Sequence, residues 1–351
     1  MISLLENKLL SISNLKFRVL IIIFAAVRVG VSPIGKDWFG WLLDAAQSFP
    51  EATSYISYSP IPVILLKALG TSSPYVWWFL WLFVYFGWLI ICLLLIDKKF
   101  RESARVLQLI FIMSQSVMIN MTIIGHYDNL IFMAGTLLLF FVNNYVYFFT
   151  AFLIGGANPN IGFASGVCFM FYYFYSKKSQ HLRISLTLLF VSSIYLVGTN
   201  IWFTPPKSGT RETIVLGQIS EVIKGSLGVW WFIPLTVLGP LTAIYFWLIF
   251  IFANTKSKVS KIKVASLILS TFIIPTLMAF FILDHTRVGV AAGGIVSLVF
   301  IFENYATIRE RVIKYEIPIL SILIIIWVLT PPVMIDSGGV FRLPYLKYIE
   351  L

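Results

Sequence analysis

The sequence predicts an all-α protein, a polytopic bundle of membrane-spanning helices, and three observations predict it. Apolar runs of crossing length recur along the 351 residues, as at 74–96, 106–124, 184–202, 230–252 and 264–283, and a helix needs about 20 apolar residues to cross a bilayer. Charge is sparse: 59% of residues are hydrophobic and 12% charged, where soluble domains carry about 25% charged residues. Finally, 17 of the 26 Lys and Arg fall in five groups between the runs. Continuous runs, rather than alternating segments of about ten residues, select helices over an outer-membrane barrel.

The five groups are Lys8, Lys16 and Arg18; Lys98, Lys99, Arg101 and Arg105; Lys177, Lys178 and Arg183; Lys256, Lys258, Lys261 and Lys263; and Arg309, Arg311 and Lys314. Basic residues flanking spans mark the cytoplasmic side. The net charge of +11 is therefore read as a topology signal, and nucleic acid is excluded as a partner. Cys92 and Cys168 both sit in apolar runs, which implies neither a disulfide framework nor a thiolate metal site.

Taken in order, residues 1–16 are placed in the cytoplasm and 17–33 form a retained first span, since no small-residue cleavage site follows it. An external loop, 34–60, is rich in aromatics and prolines, and the apolar stretch 61–70 is too short to cross. Span 74–96 returns to the basic loop 97–105, 106–124 goes out, Gly125–Asn129 turns, and 129–142 comes back. Two short runs, 145–156 and 160–176, flank Ala157-Asn158-Pro159-Asn160; a break at membrane depth is tolerated where it is buried in protein or lines a cavity.

Span 184–202 leads to a second long external segment, 203–229. Spans 230–252, 264–283, 287–303 and 317–335 complete the chain, with the C-terminus external. This makes about eleven membrane elements in a single domain, 1–351, and every basic group falls on one side. Nine of the fifteen acids lie at or near the other side, among them Asp37, Asp44, Asp128 and Asp284.

Three polar constellations share that external side: Lys36-Asp37, His126-Tyr127-Asp128-Asn129, and Asp284-His285-Thr286-Arg287. A carboxylate and an imidazole between two apolar runs are costly to desolvate, so they belong at a watered face or in a polar cavity. Asp37 precedes Trp38, Phe39 and Trp41; it is either a solvated acid in an interfacial aromatic belt or a general base for a sugar hydroxyl. Asp128 either caps the helix that begins near Asn129 or belongs to a site with His126 and Tyr127. Arg287 borders a span, where a cation pairs with an acid such as Asp284, snorkels to headgroups, or grips a phosphate with two parallel hydrogen bonds. Lys207 and Arg211 in 203–229 are further candidates for that grip, and Arg28, inside the first span, could neutralise an acid within the bundle. There is no phosphate-binding Gly-rich loop, nucleophile elbow or HExxH, so no metal and no bound cofactor are expected.

In order and sidedness, these features resemble the GT-C superfamily of integral-membrane glycosyltransferases. The resemblance rests on Lys36-Asp37-Trp38 after the first span and on the aromatic-proline segment Tyr58-Ser59-Pro60-Ile61-Pro62. It rests further on the polar turn Gly125-His126-Tyr127-Asp128-Asn129-Leu130 and on the broken pair around Asn158-Pro159. The module that resembles the family covers about 17–202, and the spans over about 203–351 are its variable part. The resemblance implies inverting transfer of a single hexose, such as mannose or glucose, from a polyprenyl-phosphate donor to a lipid-linked glycan or glycolipid acceptor. Asp37 matches the first-loop catalytic acid and Asp128 the second-loop polar site, with His126, Tyr127, Asn129, Lys36, Lys207, Arg211, His285 and Arg287 as substrate contacts. The chain departs from many members in having a single acid, Asp37, where they pair two, and Asp44 lies seven residues on.

Two other classes compete. A polymerase or ligase of polyprenyl-pyrophosphate-linked glycans would centre on Asp284-His285-Thr286-Arg287 and would carry a longer, more Arg-rich external loop than 203–229. A lipid-linked sugar transporter or flippase would bury ionisable groups mid-span and show internal repeats. Abundant Ile, Phe and Lys lean toward a prokaryotic cytoplasmic membrane; an endoplasmic-reticulum membrane using dolichyl phosphate would obey the same physics. The expected partners are the lipid-linked donor, the glycan acceptor and membrane lipids, and a membrane partner subunit stays open.

Overall fold

Helix ends in this chain fall where the sequence places polar caps, prolines and glycines. The computed structural model describes residues 2–51, 55–202, 223–224, 237–253, 258–280, 285–306, 309–310, 318–330, 333–336 and 339–342. Lys207, Arg211, Asp284 and most of the loop 203–229 lie outside the described residues.

α1 (Ile2–Ser11) and α2 (Asn14–Val29) meet at 116°, with Ser13 accepting from Lys16 N at the start of α2 and Gly30, at φ 76°, ending it. α3 (Lys36–Ser48) is a helix where the sequence reads as loop; buried Phe39, Leu42, Ala45 and Ala46 form its inward stripe, the spacing of an amphipathic helix. α4 (Pro60–Leu69) begins on proline and stops at Gly70 in the left-handed conformation.

α5 (Pro74–Phe100) is the longest helix among the described residues, 27 residues. Trp77, Trp81, Tyr85, Leu89 and Ile96 line its buried face, while Phe79, Phe83, Ile90 and Leu94 are exposed on the other. An outward apolar stripe of this length is stable against lipid rather than water. α6 (Ala104–Ile112) and α7 (Gln115–Met121) form one run bent by 50°; Ser114 interrupts it by bonding Phe111 O and capping Val117 N.

α8 (Tyr127–Phe140) and α9 (Asn144–Ala157) have 14 residues each, about 21 Å at 1.5 Å per residue and short of the ~30 Å apolar core. α10 (Pro159–Ser176) follows the expected break, where Asn158 caps Ile161 N and proline takes the first helical position. α11 (Ser179–Trp202), α12 (Thr242–Ala253) and α13 (Lys258–Ile268) follow. α13 runs through a π-helical stretch at 269–273 into α14 (Ile274–Phe280). α15 (His285–Glu303) and α16 (Ile319–Leu329) end the helical part.

A short antiparallel hairpin, β1 (Val333–Asp336) with β2 (Gly339–Arg342), pairs Val333 with Arg342 and Asp336 with Gly339. It was not expected from the apolar run 317–335, which the helix leaves at Leu329, just before Pro331 and Pro332. Helices usually end before a proline, because the residue preceding it is disfavoured in α geometry.

Among the described residues, three helical stretches, Pro74–Phe100, Ser179–Thr199 and Lys261–Met278, are long and apolar enough to cross a membrane, and the two bent pairs raise this to five. Contacts between helix ends sort them into two sets. At one end, Arg18 pairs with Asp97, Arg105 donates to the carbonyls of Leu9, Leu10 and Ile12, Lys99 to those of Leu139 and Phe140, and Lys178 pairs with Glu303. Glu6 joins this end by accepting from Leu320 N and Ser321 N at the start of α16. At the other end, Ile34 N donates to Ile124 O, Trp77 Nε1 to Gly125 O, and Arg28 to the carbonyls of Val328 and Thr330. Three of the five basic groups contribute to the first end. The polar turn lies at the second.

Arg28 thus meets backbone carbonyls at the end of α16, not an acid within the bundle.

Candidate functional site

The turn between α7 and α8 is held by its own side chains. Gly125, at φ 94°, reverses the chain, and an added Cβ would sit 3.0 Å from Trp77 Nε1, so both the backbone conformation and the close approach require glycine. Trp77 Nε1 donates to Gly125 O (3.0 Å), and Gly125 N donates to Asn129 Oδ1 (2.8 Å). The Asn129 amide in turn donates to Asn120 O (3.0 Å) and Oδ1 (2.8 Å). Asn129 is thereby spent on the turn itself and is fully buried.

The first loop is stapled beside this turn. Residues 32–34 run alongside 121–124, with Ser32 N donating to Met121 O, Ile124 N to Ser32 O and Ile34 N to Ile124 O. This seats the start of α3 over α8: the Trp38 ring lies 4.6 Å from that of His126 and 5.8 Å from that of Tyr127, centroid to centroid.

His126 is the N-cap of α8, so Asp128 lies within the first turn and is not the capping residue. A carboxylate there is favoured by the exposed N–H groups of the helix start. His126 is 1% exposed and Asp128 3%. A buried carboxylate demands a partner, and α15 supplies one: Arg287 Nε lies 2.9 Å from Asp128 Oδ2. Arg287 Nη1 lies 3.1 Å from His126 Nε2, and His126 Nδ1 lies 3.3 Å from Asp128 Oδ2.

Both imidazole nitrogens are engaged: the backbone N–H of Asp128 donates to Nδ1 at 3.2 Å, and the Arg287 guanidinium, which only donates, faces Nε2. The three side chains form a closed triangle drawn from two elements 160 residues apart in sequence.

α15 approaches closely because of glycine. A Cβ on Gly294 would collide with Ser116 Oγ of α7. Beside the triangle lies a cavity of about 10 Å³, lined by Ser116, Asn120, Asp128, Phe132 and Arg287 among others, room for about one water molecule. Arg287 keeps 21% of its side chain exposed, so the site meets its surroundings through the guanidinium.

The remaining candidates are placed as follows. Asp37 is in the first turn of α3 with its side chain exposed, and it makes no hydrogen bond or ion pair among the described residues. Lys36 is exposed beside the Tyr75 ring, 5.8 Å from its centroid. Tyr127 is buried, its ring 3.9 Å from that of His126. His285 is the first residue of α15. The structure therefore joins Asp128, His126, Tyr127 and Arg287 directly, brings Trp38 onto them, and leaves Asp37 at the surface next to Trp38. Asn120 and Trp77, which the sequence gave no reason to single out, are what fix the turn; only their polarity within apolar runs marks them. Among the described residues no group of three His, Cys, Asp or Glu is placed to hold a metal ion.

Comparison with protein-family models, with curated proteins and with solved structures finds no match for this chain.

Proposed function

We propose that the protein is an inverting membrane glycosyltransferase that moves a single hexose from a polyprenyl-phosphate donor to a lipid-linked acceptor, working at the membrane face opposite its basic loops. The observation that carries this reading is the Asp128–His126–Arg287 triangle at the helix ends remote from the basic residues, with the first loop seated over it. Eleven membrane elements, with the short α8 and α9 among them, are the topology that goes with it. The home is a prokaryotic cytoplasmic membrane with the site external.

In this scheme the isoprenoid of the donor stays in lipid, and its phosphate lies against the partly exposed guanidinium of Arg287. Asp128 and His126 hold that guanidinium in one direction, which favours a charge-assisted, paired grip on phosphate oxygens. Lys207 and Arg211 add cations from the loop 203–229. The acceptor hydroxyl attacks the anomeric carbon from the face opposite the phosphate, and a new C–O bond forms as the bond to the phosphate oxygen breaks. The electron pair leaves with polyprenyl phosphate, and the hydroxyl proton passes to Asp37. Because phosphate leaves as a stable anion, one base and a cationic grip suffice. Asp37 is preferred to Asp128 as the base because its side chain is exposed, whereas Asp128 is buried and engaged by Arg287 at 2.9 Å.

The test is sugar transfer from polyprenyl-phosphate hexoses by the purified protein in lipid vesicles. Asp37→Asn is expected to lower turnover about 10²-fold or more, the range for removing a general base, with donor binding kept. Turnover at the wild-type rate would move the base to Asp128. Wild-type protein that ignores these donors but joins pyrophosphate-linked glycans would replace the reading with a polymerase or ligase.

A further inference from the structure

A second cavity lies at the basic end of the bundle, remote from the Asp128–Arg287 triangle. It holds about 170 Å³, and its polar wall is made by Lys99, Tyr147, Gln180, His181 and Glu303. These come from α5, α9, α11 and α15, so the cavity exists only where four helix ends meet.

Most of that wall is already satisfied. Glu303 Oε1 accepts from Gln180 Nε2 (3.0 Å) and His181 Nε2 (3.1 Å), and Oε2 accepts from Tyr172 OH (2.9 Å) and Lys178 Nζ (3.1 Å). That fills about four acceptor positions of the carboxylate, and Lys178 balances its charge. His181 Nδ1 accepts from Ser176 Oγ at 2.6 Å, so the imidazole is used on both sides.

Two groups retain donor capacity. Tyr147 is 4% exposed, and its hydroxyl has no hydrogen-bond partner among the described residues. Lys99 Nζ donates to Leu139 O (3.0 Å) and Phe140 O (3.2 Å), which leaves the third of its three protons. The Tyr147 hydroxyl lacks an acceptor among the described residues, and Lys99, an exposed cation of the same lining, has a proton to spare, with Lys98, Lys177, Lys178 and Arg183 close by in sequence to the lining residues. An anionic oxygen fits this demand, since a buried hydroxyl left without an acceptor is destabilising.

The rest of the lining is apolar and includes Val142, which is 59% exposed. Phe141, its neighbour in the link between α8 and α9, and Tyr145, in the first turn of α9, are also exposed. The cavity thus opens onto an apolar outer surface at the level of the basic residues, where the headgroup region of a bilayer lies. We propose that it binds the phosphate headgroup of an anionic membrane lipid, with Tyr147 and Lys99 donating to the phosphate oxygens and the acyl chains leaving past Val142. This site stands independently of the proposed transferase chemistry.

The test uses the full chain purified in detergent, with three probes: dioleoylphosphatidylglycerol, dioleoylglycerol and inorganic phosphate. The phospholipid is expected to form a retained adduct in native mass spectrometry and to raise Tm, and the other two to do neither. Tyr147→Phe removes the hydroxyl without changing shape, and it is expected to weaken phospholipid binding about tenfold without lowering the lipid-free Tm. Val142→Trp, at an exposed position, is expected to obstruct the mouth and abolish the same shift. Equal phospholipid binding by wild type and both variants would overturn the proposal. So would an equal effect of dioleoylglycerol, which lacks the phosphate, or of inorganic phosphate alone, which would make this a free-anion site.

Discussion

At the scale of single residues, the main fact is that Asp128 and Arg287 answer each other. Each is expensive where it stands: one carboxylate nearly sealed from solvent, one guanidinium at the start of an apolar helix. Removing one partner of a buried pair leaves the other charge uncompensated, which costs about 3–5 kcal/mol for a fully buried pair; the exposure of Arg287 reduces this to about 2–3 kcal/mol here. Asp128→Asn and Arg287→Met are each expected to lower Tm, and the double variant to lose less than the sum of the two. Additive losses in thermal unfolding would mean that the 2.9 Å contact carries no coupling. Sequence reading found both residues but offered Asp284 as the partner of Arg287, since it is three positions away. The pairing to Asp128 depends on the packing of α15 against α7 and α8, which no local spacing encodes.

At the scale of elements, close approach decides what α15 can present. Gly294 lets it lie against Ser116, and Gly135 of α8 accommodates Ile295 in the same contact. Gly294→Ala is expected to destabilise by about 1–3 kcal/mol through overpacking and to weaken the Asp128–Arg287 contact with it. Gly87, in the middle of α5, has nothing within 4 Å of an added Cβ. Gly87→Ala is therefore expected to be neutral or to stabilise by about 0.5 kcal/mol, the ordinary helix gain. Comparison of the two by Tm separates packing from propensity. Breaks between elements were legible where chemistry is local: Asn158-Pro159 and Gly125-His126 interrupt the helices as their side chains dictate. The bend at Ser114 and the helix α3 were not, because a single serine within an apolar run and an aromatic-rich loop carry weaker local signals.

At the scale of the whole molecule, two populations of helix ends imply two membrane faces. Cys92 and Cys168 are buried, so cysteines introduced elsewhere report against little background. Lys36→Cys, exposed beside the polar turn, is expected to react with an impermeant thiol reagent added outside intact cells. Lys98→Cys, exposed at the other end, is expected to react only after the membrane is opened. Labelling of both from one side would break the assignment of these helices to alternating directions.

What the sequence by itself determined is class. A chain with so little charge and so many apolar runs has to satisfy its backbone polarity within helices, a sum over many residues that survives an error at any one. What only the tertiary structure decided is which polar groups meet. His126 and Asp128 share a turn, but Arg287 reaches them from far along the chain, and Glu303 gathers Gln180, His181, Lys178 and Tyr172 in the same way. Those encounters depend on glycine-permitted contacts and on the angles at which helices end, and these follow from packing in three dimensions rather than from residue spacing.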